Sequence, residues 1–505
     1  MRAKWFLAAL LAGPMAAQPF SPLFPDTKPV RTCESLTTVS LPDTTVESAA
    51  LDPATANRPA LCRVAAVVTH PPAGDRVRIF LALPETGWNG RFQGAGGGGF
   101  MGGNAAAVNA PAAQGFAAGA TDTGHDGGSG SFALDQNNRL NWMAIRDNAY
   151  LGIHEMTETG KALTEAYYGK PARYSYFNGC STGGRQGLME AQRYPADYDG
   201  ILAGAPAVNW SKFVAASMWG EMAMQNAKDF VPQCKFAAAS AAAAAACGAT
   251  DGVLSDPRSC KYDPQALAGS SIANCGEFTA ADAEVIRKIW QGARRSDGSF
   301  LWYGMQRGAD LSGLAGSGGA PLAGRPFSVS LEWFKYFLVQ NPQWDWTTLT
   351  AGAFEQYFDQ SAEEFGAVIG TDNPNLSGFR DRGGKLVVWH GWADQLIPSE
   401  GSIDYYERVQ KQMGGPEATA GFVRLFMAPG VGHCSGGPGP QPAGALDAVV
   451  SWVEQGKAPD ALRTLKRGPA GATTPGRPLC PYPLVPKYNG TGGADDASNY
   501  SCPAQ

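Results

Sequence analysis

The sequence predicts an α/β fold, in which parallel strands and helices form a core that a long insertion interrupts. Residues 173–177 are aromatic and strand-like, lead into a glycine-rich turn at 179–184, and precede a helical pattern at 185–194. Two more apolar runs of strand length lie far along the chain, at 385–390 and 423–427. Strands that alternate with helices in this way are typical of a sheet covered by helices.

The composition is that of a globular protein that is too long for one simple core. Of the 505 residues, 44% are hydrophobic and 17% are charged, so we expect one large domain with a sizeable insertion, or two domains. The formal net charge is -5 and the chain has no long basic run. This balance gives no electrostatic basis for binding nucleic acid, and it leaves the oligomeric state open.

Residues 1–17 predict a secretory signal peptide. Arg2 and Lys4 precede an apolar run at 5–11, and small residues follow up to Ala17; the alternative is a buried N-terminal helix. No other apolar run reaches the roughly 18 residues that a membrane span needs, so we expect no membrane anchor after cleavage. We expect a secreted or periplasmic protein, whose ten cysteines form disulfides in an oxidising compartment.

The first part of the core is predicted to cover residues 18–207. Within it, residues 18–75 predict an irregular region with a short strand near 64–68. The alternating pattern at 76–84 predicts a sheet strand, and residues 88–93 predict another that enters a glycine-rich loop at 94–99. Such a loop can present bare backbone N–H groups to a ligand. The run at 201–206 predicts the end of a further strand.

The remaining helices divide the chain further. Spacing at 140–168 predicts a helix that ends at Gly169. From 208 to 380 the alternation of strands and helices fails, and we interpret this stretch as an inserted lid domain, with an alanine-rich helix at 237–246. The second part of the core is predicted at 381–505. We expect aromatic residues of the lid to stack on a substrate ring. The stretch holds many of them, namely Trp290, Trp302, Tyr303, Trp333, Phe334, Tyr336, Phe337, Trp344 and Trp346.

Ser181 is the candidate nucleophile. It lies in the stretch Gly179-Cys180-Ser181-Thr182-Gly183, between the predicted strand and the predicted helix. Strand, sharp turn and helix are the context of a nucleophile elbow, which favours this interpretation over an ordinary glycine turn. The amide of Thr182 is then one predicted oxyanion donor, and Gly98 or Gly97 of the glycine-rich loop is the other.

His433 is the candidate general base, and Asp394 is the candidate acid that orients it. His433 is one of only five histidines, with a surface histidine as the alternative. Asp394 follows the apolar strand at 385–390, whereas Asp372 and Asp381 follow no such strand, and a loop-capping role is the alternative. The order Ser, Asp, His is that of α/β-hydrolases, in which the acid holds the imidazole tautomer.

Cysteines adjoin both Ser181 and His433. If Cys180 and Cys434 form a disulfide, their Cα atoms lie about 4.4–6.8 Å apart, and the two candidate catalytic residues come within reach of each other.

The other histidines predict structural roles. We expect His125 and Asp122 to hydrogen-bond the loops around the glycine-rich turn. His70, His154 and His390 follow no partner pattern, and we also interpret them as structural.

These motifs together resemble those of the tannase and feruloyl esterase family, and the likeness covers most of the mature chain. The stretches that carry it are Gly179-Cys180-Ser181-Thr182-Gly183-Gly184-Arg185-Gln186-Gly187, Tyr198-Asp199-Gly200-Ile201, Trp389-His390-Gly391-Trp392-Ala393-Asp394 and Gly432-His433-Cys434. The resemblance implies the triad Ser181, Asp394 and His433, a Cys180–Cys434 bridge, and an α/β-hydrolase core with a large lid. It also implies substrates that are esters of aromatic acids.

The resemblance further implies a structural calcium in the lid, although catalysis requires no cofactor. The corresponding loop runs from 247 to 260, is shorter than in the family and has one Asp-Gly pair; its ligands would be Asp251, Asp256 and the carbonyl of Val253. The cysteines depart from the family pattern in one place: the usual partner of Cys275 is absent from 266–269, so Cys234, which is left over, is predicted to pair with Cys275. The remaining predicted bridges are Cys33–Cys62, Cys247–Cys260 and Cys480–Cys502.

We therefore expect a secreted serine carboxylic ester hydrolase that acts on small aromatic-acid esters, of the feruloyl or galloyl kind. Hydrolysis of mono(2-hydroxyethyl) terephthalate is one alternative, and an exported peptidase, an amidase or a non-catalytic binding protein is another. Ile397, three residues after Asp394, is predicted to line the acyl side of the substrate pocket.

Overall fold

The computed structural model describes residues 20–249, 252–468, 471–493 and 496–503. The predicted signal peptide at 1–17 lies outside the described residues.

A nine-stranded mixed sheet forms the centre of the fold, with the strand order β1-β2-β3-β5-β4-β6-β7-β12-β13. Its strands are β1 (Thr44–Asp52), β2 (Leu61–Val68), β3 (Val77–Pro84), β4 (Arg91–Ala95), β5 (Ala117–Thr121), β6 (Tyr174–Cys180), β7 (Gly200–Gly204), β12 (Lys385–Gly391) and β13 (Val423–Ala428). Pairing is antiparallel from β1 to β5 and parallel from β5 to β13. The short strands are β8 (Ser271–Ile272), β9 (Gly276–Glu277), β10 (Gly316–Gly318), β11 (Ala323–Arg325), β14 (Gln441–Ala443), β15 (Arg463–Arg467), β16 (Thr473–Pro475), β17 (Lys487–Tyr488) and β18 (Tyr500–Ser501).

Helices cover both faces of this sheet and fill the insertion. They are α1 (Asn109–Ala113), α2 (Trp142–Arg146), α3 (Gly152–Tyr168), α4 (Thr182–Arg193), α5 (Trp210–Ala216), α6 (Trp219–Ala227), α7 (Gln233–Ala246), α8 (Ala280–Gln291), α9 (Ser328–Glu332), α10 (Ala351–Ile369), α11 (Ser377–Asp381), α12 (Glu400–Gln412), α13 (Pro416–Ala420) and α14 (Ala445–Gln455). The helix predicted at 140–168 is present, but a π-helical turn at Asp147–Leu151 separates α2 from α3. It ends as predicted at Gly169, whose φ is 72°.

The strands that the sequence predicted are those buried on both faces. In β12, Leu386 and Val388 belong to the apolar cluster that also includes residues of α4 and α12, whereas Val387 and Trp389 belong to the cluster that includes α14. A strand enclosed in this way reads as a continuous apolar run. Together with the helices on its two faces, the sheet confirms the predicted α/β class.

Two strands of the central sheet were not predicted. β1 lies at the sheet edge with only Val46 and Ala49 buried, so its apolar pattern is sparse. β5 is fully buried, but its sequence Ala-Ala-Gly-Ala-Thr holds a single β-branched residue. The region at 18–75 is therefore more regular than we predicted.

The chain leaves the sheet after β7 and returns to it at β12, which pairs directly with β7. The intervening helices contribute to two apolar clusters, one of which also includes Phe100, Ile145 and Ile397 from outside the insertion. Trp333, Phe334 and Phe337 are fully buried in that cluster, so these three rings pack in the protein interior. Which aromatic residues of the lid stack on a substrate stays a prediction. The domain limits at 207 and 380 stay a prediction.

The structure contains five disulfides, and they join the predicted pairs: Cys33–Cys62, Cys180–Cys434, Cys234–Cys275, Cys247–Cys260 and Cys480–Cys502. Among the described residues, no helix has the length and apolar character that a membrane crossing requires.

Candidate active site

Ser181 lies in the sharp turn between β6 and α4. Its φ of 63° and ψ of -125° are unusual for a residue with a side chain, and such a backbone costs roughly 1–3 kcal/mol. The turn packs tightly on the glycine-rich loop, since a Cβ added to Gly183 would lie 3.2 Å from the Cα of Gly96. This geometry is that of a nucleophile elbow, with the half-buried serine at the carboxyl end of the sheet.

His433 and Asp394 form a hydrogen-bonded pair. The ring Nδ1 of His433 lies 2.9 Å from Oδ2 and 3.2 Å from Oδ1 of Asp394. The amides of Leu396 and Ile397 donate to Oδ1 at 2.8 and 2.9 Å, which holds this buried carboxylate in place. The arrangement leaves Nε2 of His433 to act on a second group, as a general base requires.

The disulfide Cys180–Cys434 joins the nucleophile turn to the histidine loop. Its Cα atoms lie 5.9 Å apart, inside the predicted window, and its two cysteines are 254 positions apart in the chain. Ser181 and His433 each adjoin one end of this bridge. Although both residues are described, no hydrogen bond joins the Ser181 hydroxyl to the His433 ring, and contacts of this kind often tighten only when substrate binds.

His390 is a site residue that the sequence analysis missed. It is fully buried at the end of β12, with Nε2 3.0 Å from Oδ2 of Asp394 and Nδ1 2.8 Å from the hydroxyl of Ser402. A hydroxyl that donates to Nδ1 fixes the proton on Nε2, which then donates to the carboxylate. Burial alone would raise the pKa of Asp394, but the hydrogen bonds from His390 and His433 outweigh it and hold that pKa well below its usual range. The available signal was a histidine four residues before the acid, on the same strand end.

The glycine-rich loop is held by the helix that follows the nucleophile. The hydroxyl of Thr182 donates to the carbonyl of Gly99 at 2.6 Å, and the side-chain amide of Gln186 donates to the carbonyl of Gly102 at 3.0 Å. Thr182 is also the first residue of α4, where helix amides have no partner within the helix. Its N–H is therefore suited to the oxyanion role predicted for it.

Gly97 and Gly98 differ from the prediction in one respect. The amide of Gly97 donates to Oε1 of Gln186 at 3.0 Å, and the amide of Gly98 donates to the carbonyl of Met101, also at 3.0 Å. For either to stabilise an oxyanion, it must exchange its present acceptor for the substrate.

The other predicted residues occupy supporting positions. His125 Nε2 lies 2.9 Å from the carbonyl of Phe100, and burial lowers the pKa of this imidazole, so it braces the end of the glycine-rich loop as predicted. Ile397 has a buried side chain that packs in the apolar cluster of the insertion, while its amide holds Asp394. The rival acid Asp372 lies near Lys212 instead of His433.

An apolar cavity lies between the insertion and the segment after Asp394, and none of the candidate triad lines it. Trp219, Trp302 and Pro398 are among its lining residues, and Ser181, Asp394 and His433 are not. We therefore do not interpret it as the place where an ester bond would meet the nucleophile.

The described part of the predicted calcium loop does not fit a calcium ion. Both carboxylate oxygens of Asp256 accept hydrogen bonds from the guanidinium of Arg258, at 3.0 Å from Nε and 2.6 Å from Nη2. Val253 is buried, and Asp251 lies outside the described residues. A carboxylate already paired with an arginine is a poor start for a site that needs six to eight oxygen ligands.

The chain is similar to known ester hydrolases over most of its length. Residues 62–503 match the family described as tannase and feruloyl esterase. A probable feruloyl esterase of Arthroderma benhamiae is 41% identical over 462 residues, which cover 88% of this chain and 85% of that relative. A mono(2-hydroxyethyl) terephthalate hydrolase of Piscinibacter sakaiensis is 31% identical, over 90% of this chain and 87% of that relative.

The fold is similar to that of a solved esterase. The crystal structure of feruloyl esterase B from Aspergillus oryzae matches with a TM-score of 0.81 at 28% identity, over 93% of this chain and 100% of that chain. This likeness, together with the mixed sheet, confirms the predicted α/β-hydrolase fold.

Proposed function

The chain belongs to the tannase and feruloyl esterase family, and from that premise we propose that it cleaves esters of small aromatic acids by a serine mechanism. Membership makes the protein a carboxylic ester hydrolase. The proposal adds the catalytic residues, the acyl-enzyme intermediate and the class of acid.

One observation supports the serine mechanism above all: the His433–Asp394 pair stands beside the disulfide that ties it to the nucleophile turn. His433 Nδ1 lies 2.9 Å from Oδ2 of Asp394, and the Cα atoms of the bridged Cys180 and Cys434 lie 5.9 Å apart. A nucleophilic serine, a histidine base and a buried carboxylate that orients it form the triad that acyl transfer uses.

In the first half of the reaction, His433 Nε2 takes the hydroxyl proton of Ser181 as the oxygen attacks the ester carbonyl. Asp394 stabilises the imidazolium that forms. The tetrahedral oxyanion accepts hydrogen bonds from the amide of Thr182 and from an amide of the glycine-rich loop, either Gly97 or Gly98 after exchange of its present acceptor.

In the second half, His433 returns the proton to the alkoxide, so that the alcohol leaves and an acyl-Ser181 ester remains. Water then gives a proton to Nε2 and attacks the acyl carbon. Collapse of the second tetrahedral species releases the aromatic acid, and His433 returns its proton to Ser181. No cofactor takes part in these steps.

The substrate class rests on the relatives, which are named as hydrolases of feruloyl and terephthalate esters. We place feruloyl and galloyl esters first, because feruloyl esterases are the more similar relatives reported above, at 41% against 31% identity. Turnover of methyl ferulate, methyl gallate and mono(2-hydroxyethyl) terephthalate, measured side by side, ranks the three acids. A preference for p-nitrophenyl amides over all three esters would contradict the proposal.

An extracellular or periplasmic location is part of the same proposal. Five disulfides support it, because such bonds persist in oxidising compartments. Cell fractionation of the native host tests it, and retention of the full-length chain in the cytoplasm would contradict it.

The decisive variant is Ser181→Ala. Loss of the nucleophile should lower kcat on methyl ferulate by about 10⁴–10⁶-fold and abolish labelling by a fluorophosphonate. Ser435→Ala is the matched control, because Ser435 is an exposed serine on the histidine loop. It should keep both activity and label; substantial activity in Ser181→Ala would overturn the triad.

A further inference from the structure

A cluster of charged side chains lies away from the candidate active site, beneath the turn between β2 and β3. It consists of His70 and Asp75 from that turn, Asp147 from the π-helical turn and Glu155 from the start of α3, and we call it the His70 cluster. Ligand atoms of His70, Asp75 and Asp147 lie within 4.8 Å of one another.

Asp147 is the unusual member of the His70 cluster. Its side chain is fully buried, and in the described part of the chain neither of its oxygens has a hydrogen-bond partner. One oxygen of Glu155 is likewise buried and unpartnered. Leaving a buried carboxylate without a partner is costly, so a group that compensates this charge is expected here.

We propose that the His70 cluster binds a divalent cation of the zinc type, with one ring nitrogen of His70 and the carboxylates of Asp75 and Asp147 as ligands. One imidazole and two carboxylates, completed by water, suit four-coordinate zinc. Calcium is less suited, because it takes six to eight oxygen ligands.

Glu155 would orient the His70 ring in this site. Nε2 of His70 hydrogen-bonds to Glu155, while Nδ1 lies 2.5 Å from Asp75. A histidine that binds a metal through one nitrogen commonly donates its other N–H to a carboxylate, which fixes the ring. The His70 side chain is 25% exposed, so an ion can reach the site from solvent.

The cation would link the turn between β2 and β3 to the segment that holds the glycine-rich loop in place. Asn148, next to Asp147, donates to the carbonyl of Phe100 at 2.9 Å and to the hydroxyl of Thr123 at 3.2 Å. Phe100 directly follows the glycine-rich loop. Binding should therefore raise thermal stability in this half of the core.

A second cluster, His154, Glu190 and Asp197, provides a comparison. Its ligand atoms are equally close, and the oxygens of Glu190 are also buried without a partner. Here, however, the ammonium group of Lys161 hydrogen-bonds to the Asp197 backbone and already supplies a positive charge. We therefore assign the cation to the His70 cluster alone.

The test is zinc binding by the full-length protein after removal of metal with a chelator. Calorimetric titration with zinc chloride should give one specific equivalent and a higher melting temperature in the wild type. Asp147→Asn should lose both effects, and Glu155→Gln should bind zinc roughly 10–100-fold more weakly. Asp126→Asn is the matched control, because Asp126 is an exposed carboxylate nearby that pairs with Arg78.

The position of the ion decides between sites. Anomalous scattering at the zinc edge, from zinc-soaked crystals, should give a peak between His70 and Asp147. Circular dichroism verifies that Asp147→Asn is folded, and His70→Gln serves as the second variant if it is not. A wild type that binds no zinc, zinc binding that survives both variants, or a peak only at His433 or His154 would overturn the proposal.

Discussion

Replacing His390 by leucine removes one of the groups that hold the acid of the candidate triad. Asp394 accepts hydrogen bonds from the amides of Leu396 and Ile397 and is in contact with the rings of His390 and His433. A hydrogen bond to a charged group is worth about 1.5–3 kcal/mol, and this one lies in a fully buried environment. Its loss should therefore be measurable both in the chemistry and in the stability.

The direction of the effect follows from competition for the carboxylate. With one donor fewer, Asp394 attracts the protonated ring of His433 more strongly. About 1.4 kcal/mol corresponds to one pH unit, so the acidic limb of the kcat/KM profile should move upward by roughly 1 unit. We also expect kcat at the plateau to fall about tenfold, because the orientation of His433 becomes less fixed.

The assay is the initial rate on methyl ferulate across pH, with His390→Gln as the control. Glutamine can offer an amide N–H to Asp394, so its profile should return toward that of the wild type. Melting curves establish that both variants are folded. A fall in kcat with an unmoved acidic limb in His390→Leu would refute the reasoning, since a residue needed only for packing would give that result.

Three further predictions concern the bridge, the insertion and the glycine-rich loop. Replacing Cys180 and Cys434 together by alanine should lower kcat more than it raises KM. It should also cost up to about 5 kcal/mol of stability, because the bridge spans 254 positions. An unchanged kcat would show that the bridge contributes to stability alone. Burial raises the pKa of Glu221 to about 8, so the folded protein keeps a proton that the unfolded chain loses above its ordinary pKa of 4.5, and stability falls as pH rises between these values. Glu221→Gln should remove this slope and be more stable by roughly 3–5 kcal/mol at pH 8 in urea denaturation, whereas parallel pH profiles would contradict it. A Cβ on Gly96 would lie 2.4 Å from the Cα of Gly183, so Gly96→Ala should separate the loop from α4 and lower kcat on methyl ferulate on the order of 10²-fold, with wild-type kcat as the contrary result.

The sequence was most informative where burial is complete and local geometry is sharp. The strands β6, β7, β12 and β13 are enclosed by apolar residues on both faces, and each appeared as an apolar run. The turn at Ser181 requires small neighbours for close packing, and the glycines that meet this requirement are visible in the sequence.

The remaining features depend on contacts between distant residues. The role of His390 becomes visible only when β12 places its ring against Asp394. In the glycine-rich loop, the amides of Gly97 and Gly98 already donate to Gln186 and Met101. No local sequence pattern indicates these hydrogen bonds. Which aromatic residues of the insertion are fully enclosed, as Trp333 and Phe337 are, also depends on distant contacts, because the residue type does not distinguish a buried ring from one that faces a substrate.

The central claim is that Ser181 carries the acyl group. The most direct measurement is mass spectrometry of the wild-type enzyme, quenched in acid during turnover of methyl ferulate and then digested. Our account predicts a feruloyl adduct on the peptide that contains Ser181, and none in Ser181→Ala. An adduct on another residue, or rapid turnover by Ser181→Ala, would contradict it.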